Sequence, residues 1–118
     1  MYIIEQSAFA NTGLVDISVS LSGTSTATYI SPYAFAGCKH LKSVTNVGSN
    51  FLADYEFAGC TALTSVKMPN SHSFSGEYAF KDCISLKSIE IPASTFKLNN
   101  GLFYGCTALT SVKFNEPS

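Results

Sequence analysis

The stretch FAGCTALTSV at residues 57–66 returns almost unchanged as FYGCTALTSV at 103–112, and the two lie 46 residues apart, two steps of 23. Aligning on the phenylalanine brings out five copies of one unit: AFANTGLVDISV from Ala8, AFAGCKHLKSVTN from Ala34, EFAGCTALTSVKM from Glu56, AFKDCISLKSIEI from Ala79 and LFYGCTALTSVKF from Leu102. The anchors Phe9, Phe35, Phe57, Phe80 and Phe103 are 26, 22, 23 and 23 residues apart. A near-constant step of this length is the signature of supersecondary units stacked one on the next.

Within the units an apolar pattern recurs as Leu14, Ile17, Val19; Leu63, Val66, Met68; Leu86, Ile89, Ile91; and Leu109, Val112, Phe114. The last two positions of each triplet alternate with polar neighbours, as in a short strand with one buried face. Pro69 and Pro92 follow two of these strands and cannot donate to a ladder, so pairing should stop there. All copies run in one direction, which predicts parallel strands stacked at about 4.8 Å per repeat. The second copy places Asn46 at the third apolar position. Either the register slips and Val47 points inward, or Asn46 is buried and needs partners.

Two residues after each phenylalanine stand Asn11, Gly37, Gly59, Asp82 and Gly105. These are the residue types that tolerate a left-handed backbone, so the column is expected to mark the turn ending a short helical segment after each Phe. Ile4, Ile30, Leu52 and Leu98, five places before their phenylalanines, and Phe74, six before Phe80, are expected to complete the core around each Phe.

The unit seen in EYAFKDCISLKSIEIP at residues 77–92 resembles the BspA-type (Treponema-type) leucine-rich repeat. The resemblance extends over residues 4–114. It implies a repeat solenoid of mixed strand and short helix or turn, about five repeats of 22–26 residues, with a short parallel β-sheet on the concave side. Residues 1–118 would form one such stack, a segment of a longer array. The family further implies a cell-surface or secreted protein of the bacterial type, acting in adhesion to host proteins, matrix or other cells. The first copy lacks the cysteine, and residues 19–29 form an enlarged Ser/Thr-rich connection.

Composition removes several function classes. Charged residues are 13% of the chain and the formal net charge is -1, so no basic field gathers nucleic acid and no polybasic run holds an anionic membrane. No apolar run approaches the roughly 20 residues of a membrane span, and the start MYIIEQSAFANTG has no basic region followed by a continuous apolar stretch. The chain as given reads as soluble, with any export signal removed or lying outside it. An enzyme is the weakest reading. Paired carboxylates, a metal-ligand cluster, a phosphate loop and a Ser-His-Asp arrangement are all missing from the pattern, and no cofactor is expected.

Cys38, Cys60, Cys83 and Cys106 share one position in four consecutive repeats. Their spacing of 22, 23 and 23 residues differs from the close pairs of zinc sites. Parallel side-chain vectors disfavour disulfides between neighbouring rungs. Four free thiols filling a narrow buried layer are expected.

The strand positions between the apolar ones define a candidate partner-binding face. One column carries Asp16, Ser43, Ser65, Ser88 and Ser111, the next Ser18, Thr45, Lys67, Glu90 and Lys113, with Lys42 and Lys87 at the border. The serines read as a solvent-facing hydroxyl ladder, since His40 and His72 fall in other parts of the repeat and no base is placed to activate them. Lys67, Glu90 and Lys113 are expected to be neighbours of alternating sign. Tyr33, Tyr55 and Tyr78, each two places before a phenylalanine, form an alternative aromatic strip that either grips a sugar or a protein, or covers the flank of the core.

The leading expectation is a module that binds a protein partner on its concave strand face. The alternatives are a passive spacer and a carbohydrate-binding surface along the tyrosines. Val112 and Phe114 are expected on an open rung, which points either to a longer array or to end-to-end self-association.

Overall fold

The computed structural model describes residues 2–18, 28–45, 52–68, 73–95 and 97–116. Among them lie seven short strands: β1 (Tyr2–Ile4), β2 (Asp16–Ser18), β3 (Thr28–Ile30), β4 (Ser43–Thr45), β5 (Ser65–Lys67), β6 (Ser88–Ile91) and β7 (Ser111–Phe114). Every pairing is parallel. Ile17 stands beside Val44 and Val44 beside Val66 in the β2-β4-β5 ladder, and Ile89 stands beside Val112 in the β6-β7 ladder. Within each of these ladders the aligned repeat units stack one per rung, and the described strand residues pair in the register the repeat alignment gives.

Burial follows the period-2 pattern. Val44, Val66, Ile89 and Ile91 are buried, whereas Thr45, Ser65, Lys67 and Ser88 face outward. On the last rung Val112 and Phe114 are 40% and 61% exposed, as expected of an open rung. β6 ends at Ile91, immediately before Pro92. Pro69, Asn46, Val47, Val19, His72 and most of the enlarged connection lie outside the described residues.

The five anchor phenylalanines form a continuous spine. Successive ring centroids are 5.3, 5.3, 5.6 and 6.0 Å apart, with planes within 12° of parallel. Phe35, Phe57 and Phe80 are fully buried among Leu41, Leu63, Leu86, Ile30, Leu52 and Phe74, the last lying edge-on to Phe80 at 5.5 Å. Each such side chain contributes on the order of 1.5–3 kcal/mol by leaving water. Leu98 departs from the expected wedge: it is 42% exposed.

The segment around each phenylalanine is a run of turns, not the short helix expected. Its N–H groups alternate between two uses. Ala36 and Cys38 donate within their own turn, to Tyr33 and Phe35, while Phe35 and Gly37 donate to Glu56 and Ala58 of the next rung. A helix would consume every N–H internally and leave the rungs unjoined. The alternation needs two left-handed residues per turn run. Asn11, Gly37, Gly59, Asp82 and Gly105 supply one with φ from 60° to 76°, the column expected from the sequence. Ser7, Tyr33, Tyr55, Tyr78 and Gly101 supply the other, with φ from 54° to 65°. This second column was not expected, because tyrosine carries a steric penalty there.

A further ladder precedes the turns. β1 pairs with β3, and Leu52 N–H donates to the Ser73 carbonyl at 2.8 Å. The residues assigned from the sequence only as core filler at Ile4 and Ile30 are strand residues.

The cysteines are free thiols, with Cys38, Cys60 and Cys83 buried and Cys106 half-buried. Each donates to the anchor-phenylalanine carbonyl of the preceding rung: Cys38 to Phe9 at 3.0 Å, Cys60 to Phe35 at 3.3 Å, Cys83 to Phe57 at 3.3 Å and Cys106 to Phe80 at 3.1 Å.

A candidate partner-binding face on the strand ladders

The outward columns fall where the parallel register puts them. Asp16, Ser43 and Ser65 stand side by side in one ladder and Ser88 beside Ser111 in the other. Ser43 Oγ donates to Asp16 Oδ1 at 2.6 Å. In the next column Ser18, Thr45 and Lys67 are in register, as are Glu90 and Lys113.

Among the described residues no strand pairing joins β5 to β6. The Lys67 Nζ to Glu90 Oε2 ion pair, at 3.6 Å, crosses this seam, and Lys113 Nζ lies 3.8 Å from Glu90 Oε1. One carboxylate thus sits between two ammonium groups, one on each oxygen. These side chains are largely exposed, so each pair contributes roughly 0–1 kcal/mol and serves to order the array more than to stabilise the fold.

Lys42 and Lys87 immediately precede β4 and β6 and have exposed side chains. Their carbonyls tie rungs together: that of Lys42 accepts from the Thr64 and Ser65 N–H groups, that of Lys87 from those of Thr110 and Ser111. An open depression of about 400 Å³ lies over β5, β6 and β7, lined on its polar side by Ser65, Lys67, Ser88, Glu90, Ser111 and Lys113. The remaining candidates Asp16, Ser18, Lys42, Ser43, Thr45 and Lys87 lie on or beside the ladders outside it.

The tyrosine strip is a separate feature on the turn runs. Tyr33 and Tyr55 stack at 4.7 Å and 4°, Tyr55 and Tyr78 at 5.3 Å and 13°. Gly101 takes the tyrosine position in the last rung, and the Tyr78 ring occupies the space its missing Cβ would need. Tyr104 meets Tyr78 edge-on at 6.3 Å, with Lys81 Nζ 5.9 Å above its ring.

Glu56 escaped the sequence reading. It is fully buried, and burial pushes its carboxyl up to about 8, partly opposed by the Ala53 N–H that Oε1 accepts at 2.8 Å. Oε2 has no hydrogen-bond partner among the described residues. The available signal was its column, which holds Ala8, Ala34, Ala79 and Leu102 in the other copies.

His40 lines a different hollow with Asn11, Thr12, Gly13, Gly37 and Lys39, away from the serine column. Among the described residues no group of three His, Cys, Asp or Glu is placed to hold a metal ion, and no helix is long and apolar enough to cross a membrane.

Comparison with solved structures finds a leucine-rich repeat protein from Bacteroides ovatus ATCC 8483, whose crystal structure was determined at 1.19 Å. It matches with a TM-score of 0.75 and 28% identity, over 98% of this chain and 36% of that one. This chain therefore spans about a third of the length of that relative. Comparison with curated proteins finds no match. The family model described as "BspA type Leucine rich repeat region (6 copies)" matches residues 46–118. With the parallel rungs, the phenylalanine spine and this match in hand, the chain belongs to the BspA-type leucine-rich repeat family.

Proposed function

We propose that this chain is a protein-binding segment of a cell-surface or secreted leucine-rich repeat protein, holding its partner on the strand face over β5, β6 and β7. Leucine-rich repeats are generally protein-binding modules and typically non-enzymatic. The observation that carries the reading is the open depression in which Glu90 bridges Lys67 and Lys113 above backbones locked by parallel ladders. Side chains already held in an array lose little freedom when a partner docks. The partner class that fits an adhesion role is a host or matrix protein, or another cell surface.

The tyrosine strip is better read as packing. An aromatic ring grips a sugar with its face, and Tyr33, Tyr55 and Tyr78 spend their facing sides on one another. The test is affinity capture from extracellular protein and matrix extracts, comparing the chain with a variant carrying Lys67→Ala, Glu90→Ala and Lys113→Ala. A partner held by the first and lost by an equally folded second supports the strand-face site. Identical capture by both, or none by either, moves the assignment to a spacer.

A further inference from the structure

We propose that the strand face takes an acidic segment of its partner protein, whose carboxylates dock at Lys67 and Lys113 in competition with Glu90. The inference rests on the strand-face reading and adds the chemistry of the partner. Charge in this chain is sorted by face. On or beside β4, β5, β6 and β7 stand Lys42, Lys67, Lys87 and Lys113, four lysines against one carboxylate, that of Glu90. The turn runs carry Glu5, Asp54, Glu77 and Asp82 against Lys81, whose ammonium group is already paired with Asp82 at 2.9 Å. A chain with a formal net charge of -1 thus shows a positive strand face and a negative turn side.

The geometry at Glu90 leaves the lysines able to take a second carboxylate. The Glu90 oxygens lie 3.6 Å from Lys67 Nζ and 3.8 Å from Lys113 Nζ, longer than the roughly 2.7–3.2 Å of a hydrogen bond from nitrogen. Attraction therefore gathers the two ammonium groups at one place without using their N–H donors, and neither makes a hydrogen bond within the described chain. Glu90 acts as a stand-in carboxylate from within the chain. Ser65, Ser88 and Ser111 line the same depression and are exposed. A hydroxyl both donates and accepts, which suits the amides of a polypeptide running past the lysines. A sulfated polysaccharide fits less well. Its dense charge calls for clustered basic groups, whereas these lysines are spread over four rungs at about 4.8 Å per rung, and the acids of the turn side repel a polyanion.

The experiment measures binding of the whole chain to two immobilised peptides of equal length, one alternating Glu with Gly and Ser, the other carrying Gln in place of Glu, with heparin as a third probe. The Glu peptide should bind, the Gln peptide should bind about tenfold more weakly, and added salt should weaken the Glu peptide. Lys67→Gln and Lys113→Gln should each lose about threefold, and Glu90→Gln, which removes the competing carboxylate, should gain about threefold. Unchanged melting temperatures keep the comparison among folded chains. Equal binding of the two peptides, or none of either, overturns the acidic class and leaves the strand-face reading to the capture experiment. Binding of the Glu peptide that both lysine variants leave unchanged puts the acid-binding surface elsewhere and counts against both readings. Weaker binding by Glu90→Gln overturns the proposal, and tighter lysine-dependent binding of heparin overturns it in favour of a sulfated polysaccharide.

Discussion

The Cys83 thiol donates across one rung to the Phe57 carbonyl oxygen at 3.3 Å, and that same oxygen accepts the Cys60 N–H at 3.2 Å. The cysteine column therefore has a polar task inside the core, satisfying the second lone pair of a buried carbonyl with a side chain small enough for the layer.

Thiol reactivity should divide accordingly. Burial pushes the Cys60 thiol up to about 12 and raises those of Cys83 and Cys106 as well, but Cys106 is only half-buried. The thiolate is the reactive form. Alkylation of the native chain at mildly alkaline pH, followed by mass spectrometry, should give one early adduct at Cys106, with Cys38, Cys60 and Cys83 modified only on unfolding. Equal reaction at all four, or a mass lower by two hydrogens, contradicts the thiol column.

Glu56 predicts a pH dependence whose sign is opposite to that of a salt-bridged acid. Its folded value of about 8 lies above the ordinary 4.5, with burial the main cause. Between those values the folded chain keeps a proton that the unfolded chain has released, so stability falls as pH rises through the window, by up to about 1.4 kcal/mol per pH unit. Glu56→Gln keeps the acceptor for Ala53 and cannot ionise. Its melting temperature should be flatter from pH 5 to 8 and higher than wild type at about pH 8. Equal slopes for the two proteins would show that Glu56 is not buried.

Gly76 and Gly13 make a paired test of rung spacing. A Cβ on Gly76 would meet the Ala53 and Leu52 carbonyl oxygens of the neighbouring rung, the latter at 2.7 Å, whereas Gly13 has nothing within 4 Å. Urea unfolding should show Gly76→Ala destabilised by about 2 kcal/mol or more and Gly13→Ala within about 0.5 kcal/mol of wild type. Similar values for both would contradict the close approach of those backbones.

Much of this scaffold was legible because repetition converts one sequence into many aligned observations. Val44, Val66, Ile89 and Val112 share a column in the sequence, and in the fold Val44 stands in register with Val66 and Ile89 with Val112, while the Lys67, Glu90 and Lys113 array follows from the same alignment. The turn runs were not legible in the same way. The glycine column told of one left-handed residue, but Tyr55 hid the second, since stacking on Tyr33 and Tyr78 outweighs a backbone preference that a single residue would obey. With only one left-handed position per unit, a short helix was the natural reading. β1 and β3 were missed because three-residue strands are too short for a period to show. The Glu56 burial depends on a three-dimensional neighbourhood that its otherwise apolar column only hints at.

Replacing Tyr33, Tyr55 and Tyr78 with Asn separates stacking from backbone strain, because Asn accepts the left-handed conformation. Each lost ring pair should cost about 0.5–1.5 kcal/mol, read as a lower melting temperature, with partner binding unchanged. Loss of binding at unchanged stability would return the strip to the list of sites.

The most direct measurement of the central claim is hydrogen-exchange footprinting of the chain with its captured partner. The account predicts added protection at β5, β6 and β7, residues 65–67, 88–91 and 111–114, with the turn runs at 54–59 and 77–82 unchanged. Protection confined to those turn runs would contradict a strand-face site.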